Sequence, residues 1–293
     1  MRPSAQLLMP LLAGVLHAAG VAWPFRFLLD YGQPQWALQL LSMALLAGAL
    51  LGASSARQAA WRAWVFTTAY LGGTFGWLYT AMHTYGGMPA PLAALAEWLL
   101  AGLLAVYFAL AGGLWWRFAR RGAFSGALLF GLLWMMAELA RGTWLTGFGW
   151  GAGGYAHVDG PLSFFAPLLG AYGIGAVAAF IGRAVAQARM RAMGRRAPGG
   201  VCPSGTAALL TALTLLIAPL LLPAAWNQWT RGAGTFSVTL LQGGIAQDEK
   251  FEQSSGVPQA LQWYEAQLLS VSSDVVVAPE TAVPLLPQEL HEG

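Results

Sequence analysis

LAALAEWLLAGLLAVYFALAGGL, residues 92–114, carries a single ionisable side chain, Glu97, and that one sits near an end. A helix needs about 20 apolar residues to cross roughly 30 Å of hydrocarbon, so this stretch reads as a membrane span. Working outward, comparable apolar runs occupy about 7–24, 36–53, 63–82, 123–141, 161–182 and 205–225. The first lacks a clear small-residue cleavage site and is followed by further spans, so it reads as a retained helix and not a signal peptide. Of the 293 residues, 57% are hydrophobic and 9% charged, against about 25% charged in an average soluble domain. A soluble globular class is excluded for most of the chain.

The charges decide orientation. Residues 1–230 hold 13 Arg and 4 acids, whereas residues 231–293 hold 2 basic and 8 acidic side chains. The pI near 9.2 therefore describes neither part, and a nucleic-acid partner is not expected. With the N-terminus inside, the inner segments carry 11 of the 15 basic residues, the richest being the loop 183–196 with Arg183, Arg189, Arg191, Arg195 and Arg196. That bias favours N-in, and seven crossings place everything after about residue 226 outside. The outer segments 83–91, HTYGGMPAP, and 142–160, GTWLTGFGWGAGGYAHVDG, are rich in glycine and aromatics. They read either as an aromatic belt at the interface or as surfaces packed there.

After Arg231 the pattern becomes soluble α/β. TFSVTLLQ alternates in the period of a strand; PQALQWYEAQLL places Leu261, Tyr264 and Leu268 at helical spacing; DVVVAP is a short strand ended by proline. Glu280 follows that second strand, at the kind of strand end where reactive side chains gather in α/β domains. It is a candidate general base, with a solvated loop carboxylate as the plain alternative. GFGWGAGGY, 147–155, follows a membrane span and not a strand, so it is not a dinucleotide fingerprint. Glu138 and Arg141, at i and i+3, suggest a structural pair or a polar cavity. His17 and His83 show no partner in sequence, and Glu97 suits a headgroup contact. The lone Cys202 permits no internal disulfide, and His17, His83, His157 and His291 show no metal-ligand spacing, so neither a metal nor another cofactor is expected.

Four stretches in order, GWLYTAMHTYGGMPAP (76–91), ELARGTWLTGFGWGAGGYAHVDGPL (138–162), VTLLQGGIAQDEKF (238–251) and APETAVP (278–284), resemble the bacterial apolipoprotein N-acyltransferases. The resemblance covers essentially the whole chain. It implies a polytopic α-helical membrane bundle of about seven spans over 1–230, then the start of a periplasmic, nitrilase-like (carbon–nitrogen hydrolase) αββα domain over 231–293. It implies a multi-pass protein of the bacterial inner membrane, a phospholipid acyl donor and a diacylated apolipoprotein acceptor. It also implies a Glu, Lys and Cys set that works through a thioester. Glu280 matches the family's glutamate, and Gly147, Trp150 and Trp229 match positions that would bind or support substrate. Neither Lys250, which precedes Glu280, nor Cys202, on the inner side, matches the family's lysine and cysteine. Residues 1–293 alone are therefore expected to be inactive, with an incomplete soluble domain prone to misfolding or proteolysis. A catalytically dead lipid-binding protein, or a transporter-like protein with a short external tail, is the competing expectation.

Overall fold

The computed structural model describes residues 3–119, 122–194, 204–222 and 232–285. The chain forms two compact units, Met1–Asn227 and Gln228–Gly293. The first is helical. Its elements are α1 (Pro3–Val21), α2 (Trp36–Leu51), α3 (Ala56–Thr74), α4 (Gly76–Thr80) running into a π turn at Ala81–Tyr85, α5 (Ala90–Phe118) and α6 (Ala123–Thr143). Two 3₁₀ turns, Gly153–His157 and Pro161–Phe165, lead to α7 (Ala166–Ala192) and α8 (Ser204–Leu221). Among the described residues, three stretches are long and apolar enough to cross a membrane: Ala90–Phe118, Ala123–Thr143 and Pro161–Ala192. Leu7–Val21, Trp36–Leu51 and Gly205–Leu221 are shorter apolar helices.

Two expectations about these helices need correction. The run 63–82 is not one helix. Ser55 caps α3 by accepting the Gln58 N–H at 3.2 Å, while Gln58 Oε1 accepts from the Ser54 N–H at 2.6 Å and the Ser54 hydroxyl at 3.0 Å. This reciprocal arrangement starts the helix at residue 56. Phe75, at φ −96° and ψ 8°, breaks it after Thr74. The basic stretch from 183 is likewise not a loop at its beginning, because α7 continues through Arg183, Arg189 and Arg191. Arg183 is buried with its guanidinium carbon 5.3 Å from the Trp115 ring centre, where the ring face attracts the cation.

The helices pack through small residues, as apolar helices must when hydrocarbon supplies no hydrophobic drive to bring them together. Gly112 of α5 lies against Ala63 of α3, and Gly131 of α6 lies against the backbone of α7, where a Cβ would stand 2.5 Å from the Ala176 carbonyl oxygen. Met43, Leu46, Leu50, Phe66, Phe108 and Trp134 belong to the main core, and a second cluster joins α6, α7 and α8 around Ala127, Ile174, Ile181 and Ala212. At the end of the bundle where α2 meets α3, Arg62 Nη1 donates to the Ala49 carbonyl at 2.6 Å, and Trp116 donates to Ala53 at 2.9 Å. Both serve carbonyls that the last turn of α2 and the chain beyond it leave open.

The second unit contains β1 (Val238–Leu240), α9 (Gly256–Ser270) and β2 (Val275–Val277). The strands pair in parallel, Val238 opposite Val275 and Leu240 opposite Val277. Asp274 clasps their beginnings by accepting from the Ser237 N–H at 2.7 Å and its hydroxyl at 2.8 Å. These bonds hold its carboxyl below the usual aspartate range. The inward face of α9 is Val257, Ala260 and Tyr264. Leu268, expected to share that face, is 51% exposed.

Replacing Gly131 with leucine forces its side chain into the α7 backbone, at a cost of about 1–3 kcal/mol. The melting temperature in detergent should fall clearly, whereas Gly76→Ala, which enters open space, should leave it unchanged.

Candidate functional site

The segment 144–160 runs as irregular backbone at the end of α6, and buried side chains from several helices complete its hydrogen bonds. Arg141 Nη1 donates to the carbonyls of Phe148 at 2.5 Å and Trp150 at 2.7 Å. Glu138 Oε1 accepts the Gly153 N–H at 2.9 Å, and the Tyr70 hydroxyl donates to the Gly151 carbonyl. His157 bonds Gln39 Oε1 at 3.1 Å. Burial pushes the His157 imidazole down to about 4, so it is neutral near pH 7; because Gln39 Oε1 can only accept, His157 Nε2 carries the proton. Ser42 donates to the Gln39 carbonyl at 2.7 Å and therefore accepts from His17 Nδ1, also at 2.7 Å. The far nitrogen of His17 faces Gly153, where a Cβ would come within 2.8 Å. Glu138 and Arg141 thus each hydrogen-bond the loop backbone, Glu138 at Gly153 and Arg141 at Phe148 and Trp150.

The loop itself is tightly turned. Gly147 N–H donates to the Trp144 carbonyl at 3.0 Å, and the intervening Leu145 and Thr146 have φ of 53° and 75°. Gly147 has φ 79°, and a Cβ there would meet the Gly142 carbonyl at 2.2 Å. Only glycine fits.

Held in this way, the loop forms one wall of an open cavity of about 1160 Å³. The end of α1 with the segment 22–32 after it, the end of α3, the turn 76–85 and Tyr172 of α7 supply the rest. Trp23, Tyr31, Trp77, Tyr85, Trp150 and Tyr155 give it aromatic walls with scattered N–H and O–H groups. Trp150 is 64% exposed, and its ring meets Trp77 edge-on at 5.6 Å.

In the second unit, Glu280 stands three residues past β2 on a turn closed by the Ala282 N–H to the Pro279 carbonyl at 3.1 Å. Lys250, in the segment after β1, donates to the Glu280 carbonyl at 2.9 Å. Sequence reading set Lys250 aside; the structure brings it to the carboxylate-bearing turn.

Of the residues singled out from sequence, Gly147 and Trp150 share the cavity loop and Glu280 lies in the other unit. Trp229 and Cys202 fall outside the described residues. His17 is a buried core residue, as expected, packed on Phe66, Tyr70 and Trp134 and bonded to Ser42, and His83 Nδ1 lies 2.8 Å from the Met88 carbonyl. Glu97 is buried, 6% exposed, in place of the expected headgroup contact, because its face of α5 turns inward. Gln39, Ser42 and Tyr70 were missed. Polar residues inside apolar runs were the available signal, since membrane interiors tolerate them only with partners.

The family model described as apolipoprotein N-acyltransferase N-terminal domain matches residues 19–184. A protein of Verminephrobacter eiseniae named apolipoprotein N-acyltransferase is 48% identical over 98% of this chain and 53% of its own length. Like-named proteins of Ralstonia nicotianae and Pseudomonas paraeruginosa are 38% and 35% identical, over 96% and 95% of this chain and 50% and 52% of their own lengths. The chain spans about half the length of the curated relatives it matches.

Arg141→Met strips two loop carbonyls of their donor, at about 1–3 kcal/mol for each group left unsatisfied. Amide exchange at Phe148 and Gly153 should accelerate by at least about tenfold, with the middle of α5 unaffected.

Proposed function

Because this chain belongs to the apolipoprotein N-acyltransferase family, we propose that it supplies the membrane bundle and the opening of the soluble domain of an enzyme that moves an acyl chain from a phospholipid to the N-terminal α-amino group of a diacylglyceryl-cysteine. The observation that carries this reading is the aromatic-walled cavity at one end of an apolar bundle. At about 1160 Å³ it exceeds the roughly 300–1,000 Å³ of ordinary small-ligand sites. Its mixed lining suits a molecule with a polar head and hydrocarbon chains, because Trp and Tyr offer an apolar body with a polar tip.

On this reading the helices cross the inner membrane about seven times, with the N-terminus cytoplasmic and the soluble unit periplasmic. Trp150 contacts lipid, Gly147 shapes the loop that carries it, and Trp229 binds or supports substrate. The soluble unit begins a nitrilase-like domain. Glu280 removes the proton from a cysteine thiol supplied C-terminal to it. The thiolate attacks the ester carbonyl, the lysophospholipid alcohol leaves with a proton, and a thioester remains. The acceptor amine then attacks the thioester, Glu280 takes the amine proton, and the thiolate is released; a second lysine stabilises the charged carbonyl oxygen in both steps. Residues 1–293 bring Glu280 to this set and no thiol beside it, so alone they form no acyl-enzyme.

The test joins residues 1–293 to the remaining half of the 48%-identical relative, in phospholipid vesicles with a diacylated lipopeptide. Acyl transfer is expected, falling by about 10²-fold or more with Glu280→Gln. A folded fusion that binds phospholipid but transfers nothing, beside an active intact relative, would leave the lipid-binding reading in its place.

A further inference from the structure

The turn that carries Glu280 has a feature its sequence does not favour. Pro279, Glu280, Thr281 and Ala282 close through the Ala282 N–H to the Pro279 carbonyl. Of the two central residues only Thr281 has a positive φ, 53°. A positive φ at the third position alone marks a type II turn, where glycine or asparagine ordinarily stands. Threonine is β-branched, and a left-handed backbone crowds its Cβ against the following carbonyl. Left to itself, the sequence favours the type I form, in which the peptide between Glu280 and Thr281 is flipped and Thr281 returns to negative φ.

Something outside the turn must hold that peptide, and the Lys250 ammonium is in place to do so. It lies 2.9 Å from the Glu280 carbonyl oxygen, the atom that changes sides when the central peptide flips. A charged donor makes the stronger kind of hydrogen bond. The contact arises from topology. β1 and β2 are parallel, so the segments after them leave the same edge of the sheet, and Lys250 meets a turn 30 residues further along the chain. It is half-buried whereas Glu280 is exposed, so the lysine is the better fixed of the two.

We propose that Lys250 is a positioning residue for Glu280: it pins the turn in its unfavoured form and ties it to the loop after β1, giving the carboxylate a fixed seat at the strand end. Its importance for catalysis rests on the function proposed above for Glu280; the pinned turn does not. Pre-organised geometry of this kind matters most for a group that must transfer protons in one orientation.

The chain contains one Glu–Thr bond, Glu280–Thr281. Residues 1–293 labelled with carbonyl-¹³C glutamate and ¹⁵N threonine therefore give a single carbonyl–amide correlation. That signal should shift or split in Lys250→Met and stay near its wild-type position in Lys250→Arg. An unmoved signal in Lys250→Met overturns the proposal, whatever the activity. In the fusion enzyme, Lys250→Met should lower kcat at least tenfold with KM within about twofold, and adding Thr281→Gly should restore kcat, because glycine accepts the positive φ without help. A shifted signal with unchanged kcat would show a turn contact that does not position the carboxylate, and would also overturn the proposal. An inactive wild-type fusion would count against the proposed function, while the spectrum still decides whether Lys250 holds the turn.

Discussion

Backbone that leaves a helix inside or beside hydrocarbon must find its hydrogen bonds within the protein, because lipid offers none. The segment 144–160 meets part of this need with its own backbone turns and the rest with buried side chains. Its carbonyls at 148, 150 and 151 and its N–H at 153 are met by Arg141, Tyr70 and Glu138. Because Glu138 and Arg141 are three residues apart on α6, they project from one face of the helix, toward the chain that emerges from its own end. His17, Gln39 and Ser42 extend the support into α1 and α2. A charged pair in such a place would be a costly ornament. Here Glu138 Oε1 and Arg141 Nη1 are matched to peptide groups of the loop that would otherwise go unpaired.

From that support follows the cavity. A glycine-rich loop packed close to the helices, with its large side chains turned outward, leaves Trp150 and Tyr155 standing on a wall with Trp23 and Trp77. The glycines let the backbone approach; the aromatics occupy the space on the other side. The second unit uses the same economy on a smaller scale, since two parallel strands bring separate loops to one edge and Lys250 to the turn bearing Glu280. In both units the chemistry-bearing residues sit just beyond regular elements that fix where they stand.

Much of this could be read from residues alone. The apolar runs at 92–114 and 123–141 became α5 and α6 with ends moved by a few residues, and the strand–helix–strand order after residue 231 appeared as expected. The errors have physical sources. The run 63–82 looked continuous because hydropathy does not register a serine cap at one end or a backbone break at Phe75. The basic stretch from 183 looked like a loop because charge was weighed above helix continuity. Leu268 shares its helical spacing with Leu261 and Tyr264 yet is exposed, because spacing says which residues share a face and not which of them meets a partner surface. Lys250 was set aside because it precedes Glu280 and does not match the family's lysine, although a strand–helix–strand unit is ordinarily parallel and brings both strand ends to one edge. The partners of Glu138 and Arg141 were not legible, because they are backbone groups of a loop, and a sequence shows no backbone.

The central claim is that the aromatic cavity receives phospholipid. Its most direct test reads Trp150 alone, as the difference in fluorescence between the full chain and Trp150→Phe in vesicles containing phospholipid brominated close to the headgroup. If the cavity takes lipid, the Trp150 component is strongly quenched, and unlabelled phospholipid reverses the quenching by competition. A Trp150 component with the same intensity in brominated and ordinary vesicles would contradict the account.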